Sequence, residues 1–380
     1  MQKEVKHFTH IDLDAVGCAL VGYYAFGDTM DVEYCGYNNI DEKLWDFIQD
    51  GEIDNYNLVL ITDITPKDKN LIKEINENYA DKFLLLDHHD NEDAKAFNNY
   101  SWGYVNEFEE VIENKINNKC GYVKRIYHRE AEKIDRLIER IENSEGLVDE
   151  DYIDELLIKR GEYPTKLQRL SCGTTILYNY LKDKGMFDRY DEGTKAEIHE
   201  LVEIVRMFDT WDWTRISKGI GHVAYQLDLL LSTIGRYKFV KRFRENPQMI
   251  FNQTEQAILE IEQKRIDRLL KDKQENLYET TLTVSEGEEW KDYKVGVVFA
   301  ESYLSLIGNE LAKANTHLDF IVMITPSGKL SFRCREDSTI HLGREIAPHF
   351  NGGGHPKASG GSIDKDTFER ILLLAISTDL

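Results

Sequence analysis

Short apolar runs recur through the first hundred residues and are separated by stretches whose apolar positions fall three and four apart. Val5–Phe8, Val32–Cys35, Leu58–Thr62 and Phe83–Leu86 have the length and apolarity of buried strands, while Ala15–Phe26 and Lys67–Asn78 carry helical spacing. Strands alternating with helices predict crossover connections and a mainly parallel sheet covered on both faces.

The pattern changes from about Asn106 to Lys166, where Glu, Lys and Arg crowd the chain and Ile134, Leu137, Ile138 and Ile141 form a helical stripe. This segment reads as a helical insertion without strands. Helical spacing resumes at Ser171–Leu181 and Lys195–Met207. Thr254 to about Tyr278 lacks both Gly and Pro, and as one helix it would reach roughly 35 to 40 Å, enough to link two domains. The last hundred residues return to α/β, with strands at Val295–Phe299, Phe320–Ile324 and Lys329–Cys334. Helices are expected at Leu304–Asn315, Ile340–Phe350 and Asp366–Ile376. The predicted architecture is therefore two-domain α/β: residues 1–245 with a parallel sheet and the 106–166 insertion, a linker helix over 246–280, and a smaller α/β domain over 281–380.

Composition narrows the function classes. The chain has 380 residues, 47 basic and 69 acidic side chains, and a formal net charge of −22. Such a surface repels a long polyanion, because nucleic acid binds mainly through Lys and Arg that neutralise phosphates. Between Ala300 and Gly361, however, six Lys or Arg balance six Asp or Glu. No segment is apolar for long enough to span a bilayer and no leader is readable, so a cytoplasmic location is expected. Five scattered cysteines, none in a C-x-x-C pair, read as reduced, mostly buried thiols.

Acids and imidazoles gather where strands end and helices begin, the usual ligand edge of an open parallel sheet. His10-Ile11-Asp12-Leu13-Asp14 follows the first strand, and alternation places His10, Asp12 and Asp14 on one side. Asp63 follows Leu58–Thr62, and Asp87-His88-His89-Asp90 follows Phe83–Leu86. Asp209 closes a helix, with Asp212 as a competitor for the same role. Helix capping explains single acids of this kind, but not their coincidence at three strands together with His10. In the C-terminal part, Gly352-Gly353-Gly354-His355 suits a backbone that approaches an anion closely. Arg333 or Arg335 could fork onto a phosphate.

This constellation resembles the DHH-family phosphoesterases with a C-terminal DHH-associated domain. The resemblance rests on His10-x-Asp12-x-Asp14, Asp63, Asp87-His88-His89, Asp209 and the Gly352–His355 motif, and it spans most of the chain. It implies two divalent ions, with Mn²⁺ favoured over Mg²⁺, and activation of a water for in-line attack on phosphorus. The implied roles are His10, Asp12, Asp14 and His88 as metal ligands, with Asp63 bridging and catalytic and Asp209 completing the set. His89 is the implied catalytic group facing the phosphate, Asp87 the group that orients a metal ligand from behind, and Arg333, Gly352, Gly353, Gly354 and His355 the implied substrate contacts. The oligoribonuclease branch is the most similar in appearance, and the acidity agrees with it, since a substrate of a few nucleotides needs only a local, cation-neutralised site. The expected function is thus a metal-dependent exonuclease acting on short RNA. The alternatives are a phosphatase or phosphodiesterase for one small nucleotide, and a nucleotide-binding regulator without turnover. Short RNA oligonucleotides or dinucleotides are the expected partners, long nucleic acid and membranes are not, and a homodimer is left open.

Overall fold

The computed structural model describes residues 3–111, 124–126, 134, 137–138, 141, 150–161, 166–214, 220–286 and 289–376. It divides into two units, residues 1–259 and 260–380.

In the first unit the apolar runs become five parallel strands: β1 (Val5–Thr9), β2 (Met30–Tyr34), β3 (Leu58–Thr62), β4 (Phe83–Asp87) and β5 (Gly103–Val105). Their order is β2-β1-β3-β4-β5, with Thr9 paired in register to Tyr34 on one side and Thr62 on the other. This order reverses direction between β1 and β3, so the crevice for a ligand opens at their carboxyl ends. Alternation divides the strand residues between the two faces. Phe8, Val59, Ile61 and Leu85 pack with Leu44, Phe47 and Leu71 from α2 (Ile40–Gln49) and α3 (Lys69–Glu74). The opposite face carries α1 (Leu13–Phe26), which is buried along nearly its whole length. That burial accounts for the run of apolar and small residues from Ala15 to Ala25.

After a single turn, α4 (Glu92–Lys95), the charged segment departs from the helical expectation. Phe108–Val111 (β6), Lys124–Ile126 (β7) and Lys166–Leu170 (β8) form a three-stranded antiparallel sheet in the order β6-β8-β7. Charge density hides these strands in the sequence because their outward positions are ion-paired. Arg169 of β8 binds Glu109 of β6 and grips both carboxylate oxygens of Glu203 at 2.7 Å. The expected stripe does pack, with Ile134 and Ile138 against Leu156 of α5 (Glu150–Gly161), while Leu137 is exposed. Beyond β8 come α6 (Gly173–Asp183), α7 (Glu192–Asp209), α8 (Ile220–Ile234) and α9 (Arg236–Glu245).

The boundary between the units falls within α10 (Gln253–Glu275), which is shorter at its end than the pattern suggests, since Tyr278 already opens β9 (Tyr278–Glu286). The second unit is a mixed six-stranded sheet, ordered β13-β14-β12-β11-β10-β9. Its other strands are β10 (Glu289–Phe299), β11 (Phe320–Ile324), β12 (Lys329–Arg333), β13 (Gly353–Gly354) and β14 (Ala358–Ser362). One face packs on α11 (Leu304–Ala314) through Ile307 and Leu311; α12 (Lys365–Ile376) follows β14. The stretch Ile340–Phe350, expected as one helix, is a π turn over Leu342–Ile346 followed by a 3-10 turn over Ala347–Phe350. Pro348 accounts for the break, because it has no N–H to extend the earlier turn.

Cys18, Cys35, Cys172 and Cys334 are buried free thiols, and Cys120 lies outside the described residues. Among the described residues no helix is long and apolar enough to cross a membrane.

Candidate metal centre

The first unit brings residues from four separate stretches of sequence to the carboxyl end of its sheet. His10 and Asp12 leave β1, and the Asp12 carboxylate accepts the Ala15 N–H at 3.1 Å as the N-cap of α1. Its other oxygen meets His10 Nδ1 at 2.9 Å. Asp14, in the first turn of α1, is buried and accepts two backbone N–H groups from the start of α6, Gly173 at 2.6 Å and Thr174 at 2.8 Å. This anchoring requires Gly173, because a Cβ there would stand 2.9 Å from Asp14 Oδ2 and 3.1 Å from Asp63 Cβ.

Asp63 stands at the end of β3 with a left-handed φ of 56°, a conformation that costs a non-glycine residue about 1–3 kcal/mol. Its N–H bonds Leu86 O at 3.3 Å, tying the ends of β3 and β4 together. Below it, the hydroxyl of Thr62 is shared by His7 Nε2 and Thr9 Oγ1, each at 2.8 Å. Burial holds the pKa of His7 down at about 3, so this support is neutral.

His88 is the hub, its Nε2 lying 3.3 Å from Asp63 Oδ1 and 3.7 Å from both Asp14 Oδ2 and Asp209 Oδ2. Three groups each have ligand atoms within 4.8 Å of one another: His10, Asp12 and Asp63; Asp14, His88 and Asp209; and Asp63, Asp87, His88 and His89. Asp63 Oδ2 is buried without a hydrogen-bond partner, as is Asp87 Oδ2. Burial, reinforced by the charges of Asp12, Asp14 and Asp209, pushes the Asp63 carboxyl well above the usual carboxylate range. Burial likewise raises Asp209, with Asp14 and Asp12 adding to it and His88 opposing. Two buried carboxylates, Asp14 and Asp63, beside the half-buried Asp209 and the exposed Asp12, with an orphaned oxygen among them, form a donor set that divalent cations would neutralise, so the residues present fit such ions.

His89 is held differently. Burial alone would lower its pKa, but the 2.8 Å hydrogen bond from Nδ1 to Asp87 and the nearby carboxylates carry it to about 9, so it is an imidazolium at neutral pH. Its Nε2 lies 3.2 Å from the Tyr37 hydroxyl. Asp212 does not compete for the centre, because its carboxylate is buried against the Arg206 guanidinium at 2.9 Å.

In the second unit, Arg333 reaches Ser305 Oγ at 2.8 Å, Ser331 Oγ at 3.0 Å and Phe332 O at 2.8 Å, all neutral acceptors, and its Nε is buried without a partner. Arg335 instead ties down Thr316 O, Leu318 O and Asp337. The glycine motif also differs from expectation. The Gly352 and His355 N–H groups bond Ala347 O and Ala358 O, so neither is free for an anion. Gly352 is needed for packing, since a Cβ would meet Gly360 O at 1.9 Å, whereas a Cβ at Gly353 would meet nothing within 4 Å.

Sequence reasoning missed four participants. Gly173 and Thr174 hold Asp14, and the run of small residues Ser171–Thr175 opening a helix was the available signal. Tyr37 stands between His10, at 4.8 Å ring to ring, and His89. Asp228 of α8 is pushed up to about 7 by burial and by the charge of Asp12; nothing in its local sequence separates it from an ordinary helix acid.

No family model matches the chain. It is 28% identical over 378 residues to oligoribonuclease NrnB of Bacillus subtilis (strain 168), covering 98% of this chain and 76% of NrnB. A second relative is a 3',5'-cyclic-nucleotide phosphodiesterase of Helicobacter pylori (strain ATCC 700392 / 26695). It is 23% identical over 218 residues, covering 51% of this chain and 60% of that protein. Among solved structures, RecJ from Thermus thermophilus, crystallised with Mn²⁺, superposes with a TM-score of 0.51 at 11% identity. That match covers 98% of this chain and 51% of RecJ. The fold is thus DHH-like and related to those of NrnB and RecJ.

Proposed function

We propose that the protein is a divalent-metal phosphodiesterase that degrades short oligoribonucleotides to mononucleotides. The observation that carries this reading is the buried Asp63, with an oxygen lacking any hydrogen-bond partner, amid Asp12, Asp14, Asp209, His10 and His88. The similarity to NrnB over nearly the whole chain supports the substrate class, and the Mn²⁺ in the RecJ crystals supports the choice of ion. His10 and Asp12 would hold one ion, Asp14, His88 and Asp209 the other, and Asp63 would be shared. When bound, such ions neutralise phosphate charge and bring the pKa of a water toward neutrality.

The chain's own groups do the rest. Asp87 keeps the proton on His89 Nδ1, so His89 presents a cationic donor at Nε2 to a non-bridging phosphate oxygen as charge develops there. The Asp14 carboxylate is fixed by two backbone donors, which removes its rotational freedom before substrate arrives. Arg333, held only by neutral acceptors, retains an unneutralised charge for another phosphate of the substrate, and His355 with the exposed Gly353 is assigned to the same role. Short substrates follow from the charge of −22, which penalises a strand that runs over the surface.

The test is hydrolysis of a 5-mer RNA, a linear dinucleotide, a cyclic dinucleotide and a 3',5'-bisphosphonucleotide, each with Mn²⁺ and with chelator. Mn²⁺-dependent release of mononucleotides from the 5-mer is expected. Turnover of the bisphosphate alone would overturn the oligoribonuclease reading, and binding of all four without turnover would mark a regulator.

A further inference from the structure

A second site lies outside the acid cluster. Helix α9 (Arg236–Glu245) presents Phe239 and Phe243 to the core, and the Tyr24 hydroxyl of α1 donates to Phe243 O at 2.5 Å. Its other face, with the edge strand β2 and Tyr23 of α1, lines a cavity of about 970 Å³. That volume lies within the roughly 300–1,000 Å³ typical of small-molecule sites.

The lining inverts the charge of the rest of the chain. Arg236, Lys238, Lys241 and Arg244 face it, against one carboxylate, Glu245. Arg244 is partnered by Asp28. Among the described residues no carboxylate pairs with Arg236, Lys238 or Lys241, and Arg236 Nη1 is buried without an acceptor. Like charges on successive turns of one short helix repel, an arrangement that an anion would relieve. Cations in a −22 chain, at the start of a helix whose N-terminus has no side-chain cap, have the chemistry that suits a phosphate.

Aromatic surface accompanies the cations. The Arg236 guanidinium lies 4.5 Å over the ring of Tyr34, and that of Arg244 lies 4.5 Å over Tyr23, so both forks are held in fixed planes. Tyr237 stands at the mouth with 82% of its surface exposed, an apolar ring that nothing on its own helix covers. Rings and guanidinium planes beside phosphate-binding cations are the chemistry that receives a nucleobase and its phosphate.

We propose that this cavity is a nucleotide-binding site, taking the phosphate on Arg236, Lys238 and Lys241 and the base against Tyr237 and the stacked Arg–Tyr pairs. The site goes beyond the hydrolytic reading and does not depend on it, because it contains none of the acid cluster.

The experiment is titration of the full chain with a fluorescent AMP analogue in the presence of chelator, competed by AMP, adenosine and inorganic phosphate. Saturable 1:1 binding is expected, with AMP displacing the probe at least about tenfold better than either half alone. Arg236→Gln with Lys241→Gln removes two charge-assisted hydrogen bonds to the phosphate and should weaken binding by about tenfold or more. Asp63→Asn should leave it unchanged. Should the double variant fail to fold by circular dichroism, Lys238→Gln with Lys241→Gln, both at exposed positions, gives the same reading. Absence of binding by the natural chain, equal competition by AMP and adenosine, undiminished binding by the cation variants, or loss with Asp63→Asn would each overturn the proposal. Since no metal is present in the assay, such a failure leaves the hydrolytic reading untouched.

Discussion

Asp63→Asn should make the metal-free protein more stable while abolishing its activity. The carboxylates of Asp63 and Asp12 have oxygens within 4.8 Å of each other. Two like charges at that distance repel by about 3.5 kcal/mol at an effective dielectric near 20. Asp63 escapes part of this by holding a proton, since burial and the charges of Asp12, Asp14 and Asp209 raise its pKa. The folded state therefore keeps a proton that the unfolded chain releases, and the contribution of Asp63 to metal-free stability falls as pH rises above the ordinary carboxylate range. The amide has no charge to lose and can donate to Asp12. In chelator at pH 8, Asp63→Asn should gain on the order of 1–3 kcal/mol in urea denaturation followed by tryptophan fluorescence. The gap should close toward pH 4, where the natural carboxyl is protonated. Adding Mn²⁺ at about 100 times its Kd should stabilise the natural chain by about 2.7 kcal/mol and the variant far less. A variant less stable than the natural chain in chelator at pH 8, or a gap that persists at pH 4, would refute the electrostatic account of the site.

Asp87→Asn should return the His89 midpoint from about 9 toward 6.5, read by NMR titration of the imidazole, because Asp87 supplies the main raising influence. The stability that His89 gains from Asp87 is present below its ordinary pKa and is lost as pH rises through about 9, so this variant should flatten the alkaline side of the stability profile. Asp212→Ala should cost about 3–5 kcal/mol in denaturant by leaving Arg206 buried without that carboxylate, whereas Asp209→Asn should abolish turnover with little loss of stability. Gly173→Ala should weaken Mn²⁺ binding in calorimetry by about tenfold or more, because its methyl group would press on Asp14 and Asp63.

The parallel sheet was legible because β3 and β4 are buried and read as apolar runs up to their last residue. The acids that end those runs must emerge at the same edge. Other elements were hidden for physical reasons. The outward positions of β6 and β8 are charged and look like a solvated helix until Arg169 is seen to bind Glu109 and Glu203. The glycines at 352–354 suggested an anion cradle. Gly352 instead answers a close backbone approach from β14, a contact whose partner lies eight residues further along the chain.

By itself the sequence determined the α/β class and the placement of Asp63, Asp87 and His88 at strand ends. These follow from local periodicity and need no knowledge of the partner strands. Asp14, by contrast, reaches the cluster from the first turn of α1 and not through the strand alternation expected of it. Tertiary structure alone decided the rest. Asp209 closes α7 and Asp212 opens the 3-10 turn three residues on, and the two look alike in sequence, yet one turns toward His88 and the other is claimed by Arg206. The hold of Gly173 and Thr174 on Asp14 spans about 160 residues of chain. The left-handed Asp63 and the cation-lined groove beside β2 likewise exist only once the sheet and its helices have packed. Periodicity records which way a side chain points, but the groups it meets there are fixed only when distant segments close around it.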